Sequence, residues 1–132
     1  MAELVELEQD ESWKLVEQQP VCRLAWWSGN GPSMRPFNHV LHGRSLWIRT
    51  SAHSALVRTA DDTRVAVLID DIDVASRLGW SVELRGVAHV HWHIEEVPEE
   101  VRTLHTWASG PHPLWIELTP DEIHGLRLIS GD

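Results

Sequence analysis

Short β-rich segments separated by turn sequences fill most of the chain, and this pattern limits the fold more than any other feature. Gly29-Asn30-Gly31 separates the first two segments, and such residues accept the positive φ of a hairpin turn. No strand alternates with a long helix, as a parallel sheet would require. The sequence therefore predicts a mainly β protein with six or seven antiparallel strands. They lie at residues 21–28, 32–41, 46–50, 64–70, 79–93, 114–118 and 122–129.

Hairpin connections of this kind close most naturally into a small antiparallel barrel. Closure removes exposed sheet edges, and a small barrel fills its interior with side chains, so a ligand must lie outside it. We expect one domain over residues 1–132, with a disordered N-terminal segment at residues 1–9. Short helices are predicted at residues 10–18, 54–60 and about 95–108.

The charge balance restricts the partners of the chain. Eleven basic and twenty acidic residues give a formal net charge of −9, which argues against a nucleic-acid groove. No apolar run is long enough to span a membrane, and the acidic N-terminus is unlike a signal peptide. Cys22 is the only cysteine, which agrees with a reducing compartment. We therefore expect a cytoplasmic protein that binds neither nucleic acid nor membrane.

Three histidines alternate along the longest predicted strand. His89, His91 and His93 would share one face, with about 7 Å between neighbouring side chains. All three cannot readily reach one ion at zinc–nitrogen distances of about 2 Å, although an adjacent pair could. A solvent-facing stripe is the preferred interpretation, and no metal is assigned.

Four stretches occur in an order and spacing that form a recognisable pattern. They are Glu11-Ser12-Trp13 to Val21-Cys22-Arg23-Leu24-Ala25, Arg35-Pro36-Phe37-Asn38-His39, Leu46–Leu56, and Gly79-Trp80-Ser81-Val82 with Arg85-Gly86-Val87-Ala88. Together they resemble the pyridoxamine-phosphate-oxidase-like proteins, in particular an actinobacterial, nitroimidazole-reductase-like group. The resemblance implies a Greek-key split β-barrel of the FMN-binding type, working as a homodimer that holds FMN at the subunit interface.

The resemblance also implies where the FMN phosphate would bind. Arg49 offers a forked cation, and Thr50, Ser51 and Ser54 offer hydroxyls beside a helix start, which together suit a terminal phosphate. Members of the family commonly carry a lysine where this chain has Ala55. Arg58, one helical turn further on, is the predicted replacement.

Other residues receive expected contacts with the flavin ring from the same resemblance. Phe37 and Asn38 would pass along the isoalloxazine ring, and Trp80 and Trp107 would pack on it or line the pocket from the other subunit. Arg127 is the remaining residue of a closing pair of arginines.

The resulting functional prediction is a flavin-dependent oxidoreductase. The flavin would carry the chemistry, no protein side chain is assigned a catalytic role, and the substrate would be a small planar or heteroaromatic molecule. One alternative is a deazaflavin-dependent reductase on the same fold. A second is a non-enzymatic binding module, which Ala55 favours because it weakens the phosphate site.

Overall fold

The computed structural model describes residues 2–131 and contains eight strands and two α-helices. Neither helix in this range has the length and hydrophobicity needed to cross a membrane. The elements are β1 (Ala2–Leu7), α1 (Gln9–Gln18), β2 (Val21–Trp27), β3 (Pro32–Asn38), β4 (Val40–His42), β5 (Ser45–Thr50), α2 (Ala55–Ala60), β6 (Thr63–Asp73), β7 (Leu78–His91) and β8 (Leu114–Ser130).

All eight strands belong to one antiparallel sheet that curls into a split half-barrel. The strand order is β3-β2-β6-β7-β8-β5-β4, and β1 pairs with β8 outside this path. β3 is therefore an edge strand, and it also contacts β5 across the opening of the sheet. The prediction of a mainly β, antiparallel split barrel is confirmed, with eight strands in place of six or seven.

The last two predicted strands are one element. Residues 114–130 continue through Thr119 and Pro120 as the long strand β8, which pairs with β1, β5 and β7. The register with β7 shifts between Arg85 and Gly86. This irregularity lets a single strand turn the corner of the sheet without a loop.

The interior of the curl is filled by aliphatic residues and tryptophan. Leu24, Val67 and Leu84 come from three adjacent strands and are almost fully buried, together with Leu56 of α2. Burial also raises the pKa of the Cys22 thiol to about 12, since the charged form loses its hydration. Within residues 2–131 these side chains leave an interior space of about 10 Å³, which is too small for a ligand, as the sequence predicted.

The predicted disorder of residues 1–9 is wrong. Ala2–Leu7 form β1, which pairs in register with the end of β8 from Ala2↔Ser130 to Leu7↔Gly125. β8 extends past its pairing with β5, which ends at Leu118, so its backbone at residues 125–130 offers a free edge to this segment. Leu7 packs against the main core, and Met1 lies outside the described residues.

The predicted helix at residues 95–108 is also wrong. Only two short 3₁₀ turns occur, at Ile94–Glu96 and Val101–Thr103. Val97, which follows the first turn, and Val101, in the second, pack onto Trp47 and Trp115 of the sheet and form a second apolar cluster. Pro98 lacks the N–H that a helix continuing from residue 95 needs. The segment instead leads into an irregular stretch at residues 104–113, here called the covering loop.

His39 is a buried histidine between β3 and β4. Its side chain is 6% exposed, and Nε2–H donates to the backbone oxygen of Val16 at 3.1 Å. Nδ1 has no partner among residues 2–131. Burial lowers the pKa of His39, and the Val16 bond opposes only part of that effect.

We expect acid to destabilise the protein partly through His39. Its folded pKa is depressed, so the unfolded chain takes up the proton first, and stability is lost as pH falls below about 6.5. Glutamine can keep a donor to Val16 without titrating. The urea midpoint of wild type should therefore fall more than that of His39→Gln between about pH 7.5 and 5.5. Equal falls would show that His39 does not contribute.

Candidate functional site

A large concave site lies where the edge strand β3 faces the end of β5. This cavity has a volume of about 640 Å³ and is closed on one side by the covering loop. Seven of the ten residues predicted from the sequence line it. They are Phe37, Asn38, Arg49, Thr50, Ser51, Ser54 and Trp107.

Three hydroxyl groups form one corner of the cavity, at the start of α2. Ser54 is the N-cap of α2, and its Oγ accepts from the Val57 N–H at 3.3 Å. Thr50 Oγ1 donates to the same Oγ at 3.1 Å, while Ser51 Oγ accepts from the His53 N–H. Because Ser54 Oγ accepts twice, its own proton is available to an acceptor in the cavity. This hydroxyl corner is suited to an anion.

Arg49 lies beside this corner and holds the covering loop. Its Nε donates to the backbone oxygen of His112 at 3.2 Å, and its Nη1 donates to that of Leu104 at 3.1 Å. The guanidinium also lies 4.6 Å from the ring centre of Trp115, a cation–π distance. Arg49, the predicted phosphate ligand, therefore also fixes both ends of the covering loop.

Asn38 contacts the covering loop with its side chain. Its Oδ1 accepts from the Trp107 N–H at 2.8 Å, and its Nδ2 donates to the Pro20 oxygen at 3.3 Å. The bond fixes the backbone at Trp107, whose side chain is 74% exposed at the mouth of the cavity. The Asn38 amide is thus used in positioning Trp107, while the Asn38 backbone lies on the edge strand.

Arg35 lines the same cavity and was missed by the sequence reasoning. Its guanidinium lies 6.0 Å from the ring centre of Trp26, whose Nε1 donates to Thr59 of α2. Within residues 2–131 the guanidinium has no hydrogen-bond or ion-pair partner. The signal in the sequence was its position two residues before Phe37, since alternate residues of a strand share a face.

The other three predicted residues lie outside the cavity. Arg58, the predicted replacement for the lysine, is exposed on α2, where it donates to the His53 oxygen at 3.2 Å and does not line the cavity. Trp80 is 8% exposed and belongs to the main core. It lines a separate groove of about 500 Å³ together with Arg127, which pairs with Glu11 at 3.3 Å.

The three strand histidines do not share one environment. His89 Nδ1 lies 2.7 Å from Asp62, on the surface. His91 is largely buried, where it contacts Glu117 at 3.0 Å and stacks on Trp47 with ring centres 4.9 Å apart. His93 follows the end of β7. The predicted solvent-facing stripe is therefore wrong at His91, which lies under the turn at Ile94–Glu96.

Comparison with known proteins gives relatives over the full length of the chain. An uncharacterized protein of Mycobacterium tuberculosis, Rv0080, is 32% identical over 133 residues, which cover 97% of this chain and 88% of the relative. An FAD binding protein from Mycobacterium smegmatis has a TM-score of 0.73 at 26% identity, covering 95% of this chain and 98% of that chain. An FAD-binding protein from Mesorhizobium loti shares the fold with a TM-score of 0.73 at 17% identity, covering 98% and 100%.

A family-level match agrees with these relatives and with the geometry of the barrel. The pyridoxamine 5'-phosphate oxidase family matches residues 8–127, which include every strand from β2 to β7 and most of β8. The resemblance read from the four sequence stretches is thereby confirmed. This chain belongs to the pyridoxamine 5'-phosphate oxidase family.

Proposed function

We propose that the chain is a flavin-binding oxidoreductase that holds FMN in the cavity between β3 and the covering loop. The observation that carries the proposal is one cavity with a cationic, hydroxyl-rich corner and a flat apolar wall, in a member of this family. The Mycobacterium smegmatis relative is described as an FAD binding protein, which supports a flavin in general.

The phosphate fits the hydroxyl corner on chemical grounds. Arg35 and Arg49 bring two guanidinium groups to the cavity, and its lining within residues 2–131 contains no Asp or Glu. Forked cations and hydroxyl donors are the groups that bind phosphate most strongly in proteins. Arg35 supplies the second cation that the alanine at position 55 does not.

The ring would lie along β3. Pro36 and Phe37 provide apolar surface, and the backbone of an edge strand offers unpaired donors and acceptors to the polar rim of the ring. Trp107 provides a flat aromatic side chain at the mouth of the cavity. A planar substrate of small size would pack between this tryptophan and the ring.

The protein residues act by binding and shielding. A bound flavin supplies the redox chemistry, so no protein nucleophile is needed. Arg35, Arg49 and Ser54 hold the phosphate end, Asn38 positions Trp107, and the covering loop keeps water from one side of the cavity.

Titration of purified protein with FMN and with riboflavin tests the assignment. Bound flavin should stay with the protein through gel filtration, and FMN should bind more tightly than riboflavin because only FMN has the phosphate. Titration with FAD then separates the two phosphorylated flavins. Absence of binding by all three compounds would refute the proposal.

We expect Arg35→Ala to weaken FMN binding about tenfold, the effect of losing one charge-assisted hydrogen bond. Riboflavin affinity should be unchanged, since it carries no phosphate. Arg58→Ala is the matched control, because Arg58 lies outside the cavity. The FMN affinity of this variant should equal that of wild type. If both variants bind FMN equally well, Arg35 is not a phosphate ligand.

We also propose that two copies associate through the outer face of β2 and β3. Trp27 and Met34 are 61% and 75% exposed there, and Pro36 on the same face of β3 connects this apolar surface to the cavity. A second copy would cover the open side of the site. Light scattering should give twice the monomer mass, and Met34→Glu should yield monomers.

We also propose that the protein functions in the cytoplasm, because its single cysteine forms no internal disulfide.

Two other functions make different predictions for the same experiment. A deazaflavin-dependent reductase would retain the deazaflavin in preference to FMN, and the visible spectrum of the complex distinguishes the two dyes. A non-enzymatic binding module would retain a flavin that is never reduced by nicotinamide donors or reoxidised by planar acceptors.

A further inference from the structure

His112 lies at the phosphate end of the cavity. It precedes β8 by two residues, and the first residue of β8, Leu114, pairs with Thr50. Its side chain is half-buried and lines the cavity with Ser51 and Ser54. Its backbone oxygen is held by Arg49 at 3.2 Å, so the residue is fixed beside the hydroxyl corner.

The hydrogen bonds of the ring determine which nitrogen faces a ligand. Nδ1 lies 2.8 Å from the Gly110 oxygen and 3.3 Å from Thr106 Oγ1. The Gly110 oxygen can only accept, and the Thr106 hydroxyl donates its proton to the Ala108 oxygen at 3.1 Å. Nδ1 therefore carries a hydrogen, and Nε2 is the nitrogen at which a proton is gained or lost.

The charged side chains that line the cavity beside His112 are cationic. Arg49 from β5 and Arg35 from β3 line the same cavity, and no carboxylate does so within the part of the chain that the structure describes. His105 in the covering loop and His53 before α2 are titratable side chains on the same segments, and neither lines the cavity. A phosphate dianion would reverse this local charge.

We propose that His112 is a proton-linked ligand of the bound phosphate. When the phosphate enters, Nε2 takes up a proton from solvent and donates it in a charge-assisted hydrogen bond, while Nδ1–H stays on Gly110. The inference rests on the proposed binding of a phosphorylated flavin. It adds that binding consumes a proton, so that flavin affinity rises as pH falls toward the range in which imidazole titrates.

Flavin titrations over a range of pH test the linkage. We expect FMN to bind about tenfold more tightly at about pH 6.5 than at pH 8.5, while riboflavin affinity stays constant. Calorimetry in two buffers of different ionisation enthalpy should show net proton uptake with FMN and none with riboflavin. These measurements report binding and do not depend on turnover.

Three variants separate the linkage from loop structure. His112→Asn keeps a donor to Gly110 but has nothing at the Nε2 position, so it should lose both the pH dependence and the proton uptake. His112→Gln can place an uncharged amide donor near that position and should bind FMN without pH dependence. His105→Gln is the matched control and should behave as wild type, because His105 lies outside the cavity.

The outcomes distinguish the two proposals. FMN binding by wild type that is independent of pH, or that keeps its pH dependence in His112→Asn, overturns the role of His112 and leaves the flavin site intact. Binding of none of the flavins by wild type overturns both.

Discussion

Replacing Arg49 with alanine should lower FMN affinity about a hundredfold, the equivalent of losing two charge-assisted contacts. Arg49 faces the hydroxyl corner, and it also holds the oxygens of Leu104 and His112. Riboflavin binding should therefore fall as well, because the loop that closes the site is released. Titration with both ligands measures the two effects separately.

The design distinguishes the phosphate contact from the loop contact. Limited proteolysis should cut residues 104–113 faster in Arg49→Ala, since two tethers of the loop are lost. Arg49→Lys retains the charge but lacks the fork that reaches two carbonyls, so it should recover only part of the affinity. Faster cleavage with an equal fall in FMN and riboflavin affinity would mean that Arg49 holds the loop and takes no part in phosphate binding.

Replacing Gly86 with alanine should destabilise the fold by about 3 kcal/mol. A Cβ at this position would collide with the backbone oxygen of Thr119 and lie 2.7 Å from the Cα of Pro120. Both neighbours are backbone atoms of β8 at the register shift, so they cannot move aside as a side chain could. Urea unfolding of the two proteins measures the difference.

Gly43→Ala is the control for this collision. Gly43 has a φ of +60° and nothing within 4 Å of its added Cβ, so only the backbone conformation resists the change. Gly43→Ala should lower the free energy of unfolding by about 1 kcal/mol. If Gly86→Ala lowered the free energy of unfolding no more than Gly43→Ala, the backbone at the register shift would be able to relax. The close approach of β7 and β8 would then not restrict position 86 to glycine.

Most strands could be predicted from local sequence patterns. The elements that were predicted wrongly depend on contacts between segments that are distant in sequence. The alternation in residues 21–27 and the turn at Gly29-Asn30-Gly31 need only neighbouring residues to be read. β1 was missed because its order depends on the free edge of β8, more than a hundred residues away. Residues 95–108 form no continuous α-helix, and Val97 and Val101 pack instead on two tryptophans of the sheet.

The residues of the candidate site likewise fall into a group that the sequence predicted and a group that it did not. Arg49 to Ser54 are continuous in sequence, so their meeting at the start of α2 could be predicted. Arg35 and His112 reach the same cavity from β3 and from the approach to β8, and no local pattern links them. Trp80 resembled a site residue in sequence, but its place between β6 and β8 puts it in the core.

The edge position of β3 also affects how the protein avoids aggregation. An exposed strand edge can recruit a strand from another chain, and this edge has to stay open if a ligand is to reach it. Pro32 and Pro36 lie within the strand and have no N–H to offer to an incoming strand. Proline at these two positions therefore protects an accessible edge from intermolecular β-pairing without covering it.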